Sequence, residues 1–200
     1  MKKRAVPRAR PAATDGRRLR SERSREQIVK ALLSLIRAGH VHPSAAQVAE
    51  AAGVSLRTVF RHFDELDVLR REMSAIVEAE VRPLLDAPIE GRSWRARLMG
   101  LAARRATIYE RVLPIKVAAG VQRFQSDYLM QGHRHFLAME RRGLEALLPA
   151  SIVSDAVLVE ALDMAMGFQA WRRLRQDQGL SVEEAECVMR FVVERLIAGR

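Results

Sequence analysis

An all-α fold is predicted by three features of the sequence. Ala, Leu, Arg and Glu dominate it, whereas aromatic residues make up only 5% and Val/Ile/Thr clusters are sparse, so helix formers far outnumber strand formers. Apolar residues recur at i, i+3, i+4 and i+7 in one segment after another, which is the period of a helix with one buried face. Ser-x-x-Gln/Glu pairs stand in front of several of these segments, and such pairs satisfy the free N–H groups of a helix start. With 200 residues and 48% hydrophobic content the chain can bury a core, and its length suits a small domain in front of a medium one.

Residues 1–23 hold nine basic side chains, two prolines and almost nothing apolar, so they read as a flexible basic arm. Order is expected from Ser24, capped with Gln27, through a first helix whose Ile28, Ala31, Leu32, Leu35 and Ile36 share a face and which Gly39 ends. Ser44 and Gln47 form a second capping pair opening a short helix with small inward residues Val48, Ala49 and Ala52, closed by Gly53. Ser55 caps a third short helix, "LRTVFRHF", on which Val59 and Phe63 face inward while Arg57, Thr58, Arg61 and His62 face out. Two brief helices joined by a glycine turn behind a longer one make a helix-turn-helix.

A fourth helix is expected from Leu66 to about Pro83, followed by the turn-rich joint "DAPIEGRS". Beyond the joint, helices are expected over Trp94 to Glu110, near Leu113 to Val121, over Ser126 to Leu148, from Ser154 to about Gln178, and from Ser181 to Ala198. The last opens on a Ser181/Glu184 capping box behind Gly179. Cys187 falls within an apolar pattern and is expected to pack as a buried thiol.

Charge placement narrows the function. Of the net +10, residues 1–64 hold 14 Lys/Arg against 5 Asp/Glu, a balance of +9, while residues 65–200 hold 20 against 19. A basic end on a neutral body points to a polyanion at that end, nucleic acid or an anionic membrane surface. The missing leader and missing apolar run of membrane length, with a single cysteine, favour a cytoplasmic protein without a membrane partner. No nucleophile-base set, phosphate-cradling glycine loop or His-Glu-x-x-His is present, so neither an enzyme nor a bound cofactor is expected. The "HRH" at 133–135 puts its histidines on different helix faces, and no metal is expected there.

The stretch 44–69, "SAAQVAEAAGVSLRTVFRHFDELDVL", resembles the signature of TetR-family transcriptional regulators, with Ser44, Val48, Ala49, Ala52, Gly53, Val54, Ser55, Thr58, Val59, His62, Phe63 and Leu69 at the positions the pattern wants. Phe60 stands where the family commonly has Tyr, and Leu66 where it commonly has Lys. The resemblance implies residues 24–66 as the DNA-binding domain and residues 67–200 as a helical domain for effector binding and dimerisation. It implies a homodimer on a double-stranded, palindromic DNA operator, released by a small-molecule effector, which is the behaviour of a repressor. An architectural DNA-binding protein without an effector is the alternative.

On that basis Arg57 is placed to read a base and Leu56 to touch a thymine methyl or pack inward. Ser44, Gln47, Ser55, Thr58, Phe60, Arg61 and His62 complete the DNA-binding set, most of them as phosphate contacts. Met and aromatic residues of the body suggest an adaptable apolar cavity, with Trp94, Leu98, Tyr109, Phe124, Tyr128, Met130, Met164 and Phe168 as its candidate lining. The last two helices are apolar around much of their circumference, which calls for a second partner. Leu158, Leu162, Trp171, Val188, Phe191, Val192 and Leu196 are the candidate dimer residues.

Overall fold

The computed structural model describes residues 13–63 and 66–200, and every regular element among them is helical. It divides into two compact units, Met1–Ser74 and Ala75–Arg200.

The first unit contains α1 (Ala13–Arg37), α2 (Ala45–Ala52), α3 (Leu56–Phe63) and the start of α4 (Leu66–Asp86). Helix α1 begins at Ala13, not at Ser24, so the second half of the expected arm is helical; residues 1–12 lie outside the described residues. The physical reason is that Arg17, Arg18, Leu19, Arg20, Glu22 and Arg23 are good helix formers, with Arg18 paired to Glu22 one turn on at 3.0 Å. Ser24 therefore lies mid-helix and donates back to the Arg20 carbonyl at 3.0 Å instead of capping. Downstream, Ile28, Val29, Leu32, Leu33 and Ile36 of α1, Val48, Ala49 and Ala52 of α2, and Val59 of α3 are all buried.

Two caps fix where α2 starts and stops. Gln47 N–H donates to Ser44 Oγ at 3.3 Å while Ser44 N–H donates to Gln47 Oε1 at 2.8 Å. At the other end Gly53 sits at φ 63°, ψ 33°, and the next N–H, that of Val54, reaches the Ala49 carbonyl at 3.0 Å. A Cβ on Gly53 would meet nothing within 4 Å, so the cost of substitution there is purely one of backbone conformation. Gly53→Ala is expected to lower the stability of this unit by about 1 kcal/mol. A urea midpoint equal to or above that of the wild type would contradict the left-handed cap.

The second unit holds the rest of α4, then α5 (Trp94–Gln122), a 3-10 turn (Arg123–Gln125), α6 (Asp127–Glu145), the single turn α7 (Ala150–Val153), α8 (Ala156–Ala165), α9 (Phe168–Arg172) running into a π-helical turn (Arg173–Asp177), and α10 (Val182–Leu196). Leu98, Ala102, Tyr109, Leu144, Leu162, Met166, Trp171, Met189 and Val193 are among the most deeply buried members of one core.

Proline misled the reading of two helices. Pro83 lies inside α4, which continues to Asp86, and Pro114 lies inside α5, which runs unbroken where two helices were expected. A proline removes one helix hydrogen bond, and in α5 the buried Ile108, Tyr109, Val112 and Ala118 on either side supply packing that outweighs that loss. Conversely, the single helix expected over 154–178 is broken into α8, α9 and the π-helical turn. Gly167 lies at the break, where a Cβ would sit 3.0 Å from the Asp163 carbonyl oxygen. The final helix opens as expected: Glu184 N–H meets Ser181 Oγ at 3.1 Å and Ser181 N–H meets Glu184 Oε2 at 2.8 Å, behind Gly179 at φ 69°.

Candidate nucleic-acid interface and ligand pocket

The third helix is organised around one anchor. Val59, at its centre, is fully buried, and the turn before it is set by Ser55, whose Oγ accepts from Thr58 N–H at 3.2 Å. Ser55 Oγ and Thr58 Oγ1 also lie 2.9 Å apart. With that side fixed, Leu56, Arg57, Phe60 and Arg61 form an exposed stripe of two i, i+4 rows. Leu56 is 44% and Phe60 56% exposed, so two large apolar side chains stand beside the two arginines on this surface.

The sequence-predicted contacts divide accordingly. Ser44, Ser55, Leu56, Arg57, Phe60 and Arg61 are exposed; Gln47 and Thr58 are partly buried and already engaged in capping. Leu56 faces out, which resolves its two readings in favour of an exposed methyl surface. His62 is a correction: it is buried, 6% exposed, not outward-facing. Its position three residues after Val59 puts it over the same inward face, a signal the sequence already held. The side chain of Phe63, paired with Val59 in the sequence reading, lies outside the described residues. Behind the stripe, Arg25 of α1 bonds Glu72 of α4 at 2.9 Å.

In the second unit, α5, α6, α8, α9 and α10 enclose a cleft of about 710 Å³, a size suited to a small organic molecule. Phe136, Leu137, Met164, Phe168, Leu174 and Met189 give it an apolar lining. Its polar groups are fewer: Lys116 and Arg172, His133, and the acids Glu140, Glu160 and Asp163 are among them. The Lys116 ammonium lies over the Phe136 ring at 3.4 Å from its centroid and 5.6 Å from that of Phe168. Burial in that aromatic setting pulls Lys116 down to about 8, against the pull of Glu140 upward. His133 is lowered too, by burial and then by Arg123 and Lys116.

Under the cleft lies a polar knot in the core. Tyr109 Oη is bonded to the Glu140 carboxyl and lies 2.9 Å from the Met166 carbonyl, which Arg105 also reaches at 3.2 Å; Arg105 further donates to the Glu140 carbonyl. The phenolic proton of Tyr109 is donated to the Glu140 carboxyl, with the Met166 carbonyl beside it. Burial raises the pKa of Glu140, while the Tyr109 hydrogen bond, Arg105 and Lys116 lower it. Residues 105, 109 and 116 share one face of α5, so the knot and Lys116 are continuous.

Of the predicted pocket residues, only Met164 and Phe168 line this cleft. Leu98 is core, Tyr109 lies beneath the lining, and Trp94 packs half-buried under Arg95 at 4.5 Å. Phe124 is 74% exposed with Arg123 stacked 4.7 Å from its ring, and Tyr128 and Met130 are half-buried on α6 away from the lining. Lys116, Glu140 and Arg172 were missed. A lone lysine inside the apolar run "VLPIKVAAGV" was the available signal.

The predicted dimer residues also need correction. Leu158, Leu162 and Trp171 are buried in the chain's own core and cannot face a partner, and Leu196 is half-buried against that core. Val188, Phe191 and Val192 of α10 are exposed, and Val157 (80%) and Met164 (74%) of α8 join them as exposed apolar residues. Cys187 is exposed as well, contrary to expectation, because Ala185, Met189 and Val193 occupy the inward stripe of α10. Among the described residues no group of His, Cys, Asp or Glu is arranged to hold a metal, and no helix is long and apolar enough to cross a membrane.

The chain is similar to the HTH-type transcriptional regulator TcmR of Streptomyces glaucescens, with 38% identity over 84 residues. That match takes in 38% of this chain and 37% of the relative, so the chain spans little more than a third of the curated protein it matches. No protein-family model matches the chain, and no solved structure does. The match to an HTH-type regulator supports the resemblance to the TetR family carried by residues 44–69.

Proposed function

From that resemblance we propose that the chain is a DNA-binding transcriptional regulator of the TetR type, acting as a homodimer on a palindromic operator and released by a small-molecule effector. The observation that carries the reading is the exposed stripe of α3, Leu56, Arg57, Phe60 and Arg61, held out by buried Val59. Arg57 supplies a guanidinium that can bond guanine O6 and N7 together, and Leu56 and Phe60 offer apolar contact to thymine methyls and sugars. Arg61 and the hydroxyls of Ser44, Ser55 and Thr58 serve phosphates, which set register without reading sequence. Exposed Val157 and Phe191 supply apolar surface for the second copy, and Met164, Val188 and Val192 belong both to that exposed surface and to the lining of the cleft that supplies the effector site.

Selection of bound sequences from a random duplex pool tests the reading. Two inverted half-sites about one helical turn apart are expected. Enrichment of no sequence would favour an architectural protein instead. In the same assay Arg57→Ala is expected to cost about 1–3 kcal/mol on the selected site and to relax preference at one position of each half-site. If its ratio of cognate to mismatched binding equals that of the wild type, Arg57 does not read a base.

A further inference from the structure

Residues 65–200 carry 20 basic side chains, of which 19 are arginine and one is lysine, Lys116. That lysine lines the cleft from the apolar run "VLPIKVAAGV" of α5. Its Nζ lies over the face of Phe136, 3.4 Å from the centroid, and 5.6 Å from that of Phe168, so aromatic carbon replaces water on that side. Positive charge alone does not account for a lysine at this place. An arginine would supply the same charge, and arginine is what these residues use at every other basic position. What an amine supplies and a guanidinium does not is the capacity to shed a proton and expose a nucleophilic lone pair. The rest of the lining does not select an ion, because four carboxylates stand against three cations, Lys116 among them.

We propose that Lys116 Nζ captures an apolar aldehyde or ketone in the cleft as a reversible imine, with the frame of the ligand seated on Phe136, Phe168 and Met189. The proposal rests on the reading of this cleft as the effector site and names the chemical class of that effector. The lone pair of the neutral amine adds to the carbonyl carbon, and the carbonyl electron pair moves to oxygen. Both amine protons then depart with that oxygen as water, and a C=N bond remains. Nothing is oxidised or reduced, and hydrolysis by the same route returns the amine and the ligand. A cleft walled by aromatic rings excludes water and so slows that return. When protonated, the imine is a cation, and Glu140, which favours the ammonium of Lys116, favours this cation for the same reason.

The reaction needs the neutral amine, and the surroundings of Lys116 supply it. Burial is the largest influence and holds the amine at about 8, with Glu140 pulling upward and Arg123 downward. Glu140 and His133 on α6 and Arg123 on the 3-10 turn are the charged and titratable groups that act on Lys116 or feel it. Glu160 and Asp163 of α8, Arg172 of α9, and Arg173 and Asp177 of the π-helical turn stand on the remaining walls. At pH 7 about a tenth of such an amine is neutral, against roughly one in a few thousand for an ordinary lysine. The less basic amine is also the weaker nucleophile, so the gain in rate is smaller than the gain in neutral amine. Below pH 8 the advantage over an ordinary amine is constant, because both lose their neutral form together as the pH falls. Above pH 8 it shrinks, because Lys116 is already neutral while an ordinary amine goes on deprotonating.

Trapping tests the proposal. Full-length protein is treated at pH 7 with 2-naphthaldehyde and cyanoborohydride, which reduces any imine to a stable amine, and peptide mass mapping locates the modified lysines. The other lysines, Lys2, Lys3 and the exposed Lys30, are references within the same molecule. Lys116 is expected to be labelled at least about tenfold faster than Lys30, with that ratio level below pH 8 and falling above it. Lys116→Met should lose this label and keep the others. Labelling of Lys116 no faster than that of Lys30 overturns the proposal, and the wild-type protein decides this whether or not Lys116→Met folds. A second compound, 2-naphthalenemethanol, has the same frame without a carbonyl and keeps the effector reading separate. Its binding is read by calorimetry, and release of the selected duplex by either compound is read by fluorescence polarisation. If the alcohol binds and releases the duplex while Lys116 shows no preference, the cleft stands as the effector site and the imine falls. If Lys116 is labelled preferentially while the aldehyde leaves the duplex bound, the imine stands and the effector reading falls. Binding of neither compound, with no preference at Lys116, overturns both.

Discussion

Trp171→Ala is expected to destabilise the second unit by about 3–5 kcal/mol, the usual range for removing a large aromatic side chain from a packed core. Trp171 is fully buried, and its ring lies 6.4 Å from that of Tyr109, which in turn meets Phe168 edge-on at 5.6 Å. Its indole N–H donates to Glu110 Oε1 at 2.7 Å, and the same carboxylate receives Arg175 at 2.8 Å and 3.2 Å. Truncation therefore leaves a void and one acceptor site empty, although Arg175 still pairs with Glu110. Trp171→Phe separates the two effects: it keeps most of the volume and loses the hydrogen bond, so it should cost less, about 1–3 kcal/mol. Urea unfolding followed by far-UV circular dichroism reads both variants. A Trp171→Ala protein within about 1 kcal/mol of the wild type would show that Trp171 is not the centre of this core. Because Phe168 lines the cleft and packs in the same aromatic group, the void should also change the shape of the cleft.

The local grammar of caps was legible in the sequence wherever it stood alone. Ser44/Gln47 and Ser181/Glu184 form the boxes their spacing predicts, and Gly53 and Gly179 adopt the left-handed conformation expected after a helix. The same grammar at Ser24/Gln27 misled, because helix-forming residues precede it and a cap is needed only where a helix would otherwise begin. Proline was over-read at positions 83 and 114 for the complementary reason: intrinsic preference is a weak prior, and packing of the neighbouring turns overrides it. Burial phase was legible for Val59 and for the stripe beside it, and was misjudged for His62 and Cys187, whose polarity and pattern suggested the opposite side.

The cleft was the least legible part. Its walls come from α5, α6, α8, α9 and α10, and its shape depends on the break at Gly167, a tertiary contact invisible in any single helix. Aromatic and Met residues as a class therefore do not mark the cleft, and most of the candidate lining is core or surface. The polar groups that give the cleft its character, Lys116, Glu140 and Arg172, lie on three different helices and carry no common spacing. The dimer residues failed in a related way. Leu158 and Leu162 fill the inward face of α8, so a surface for a partner is left to Val157 and Met164 on its other side.

Val59→Asp is expected to abolish binding to every duplex, cognate or not, by unfolding the first unit. Val59 is fully buried among the helices of that unit, and the change removes its apolar contact and places a carboxylate where water is excluded. The effective penalty of burying such a charge is several kcal/mol, a large part of the total stability of a small unit. Val59→Ala provides the graded control. It deletes two methyl groups, costs about 2 kcal/mol, and should leave α3 folded at low temperature with its exposed stripe unchanged. The pair then separates scaffold from readout when set beside Arg57→Ala: the arginine variant keeps its helicity and loses preference at one base pair, whereas Val59→Asp loses helicity and all affinity together. Circular dichroism and fluorescence polarisation on cognate and mismatched duplexes read the two quantities independently. A Val59→Asp protein that still bound the cognate duplex as the wild type does would mean that DNA is met by some other surface, and the roles assigned to Leu56, Arg57, Phe60 and Arg61 would fall with α3.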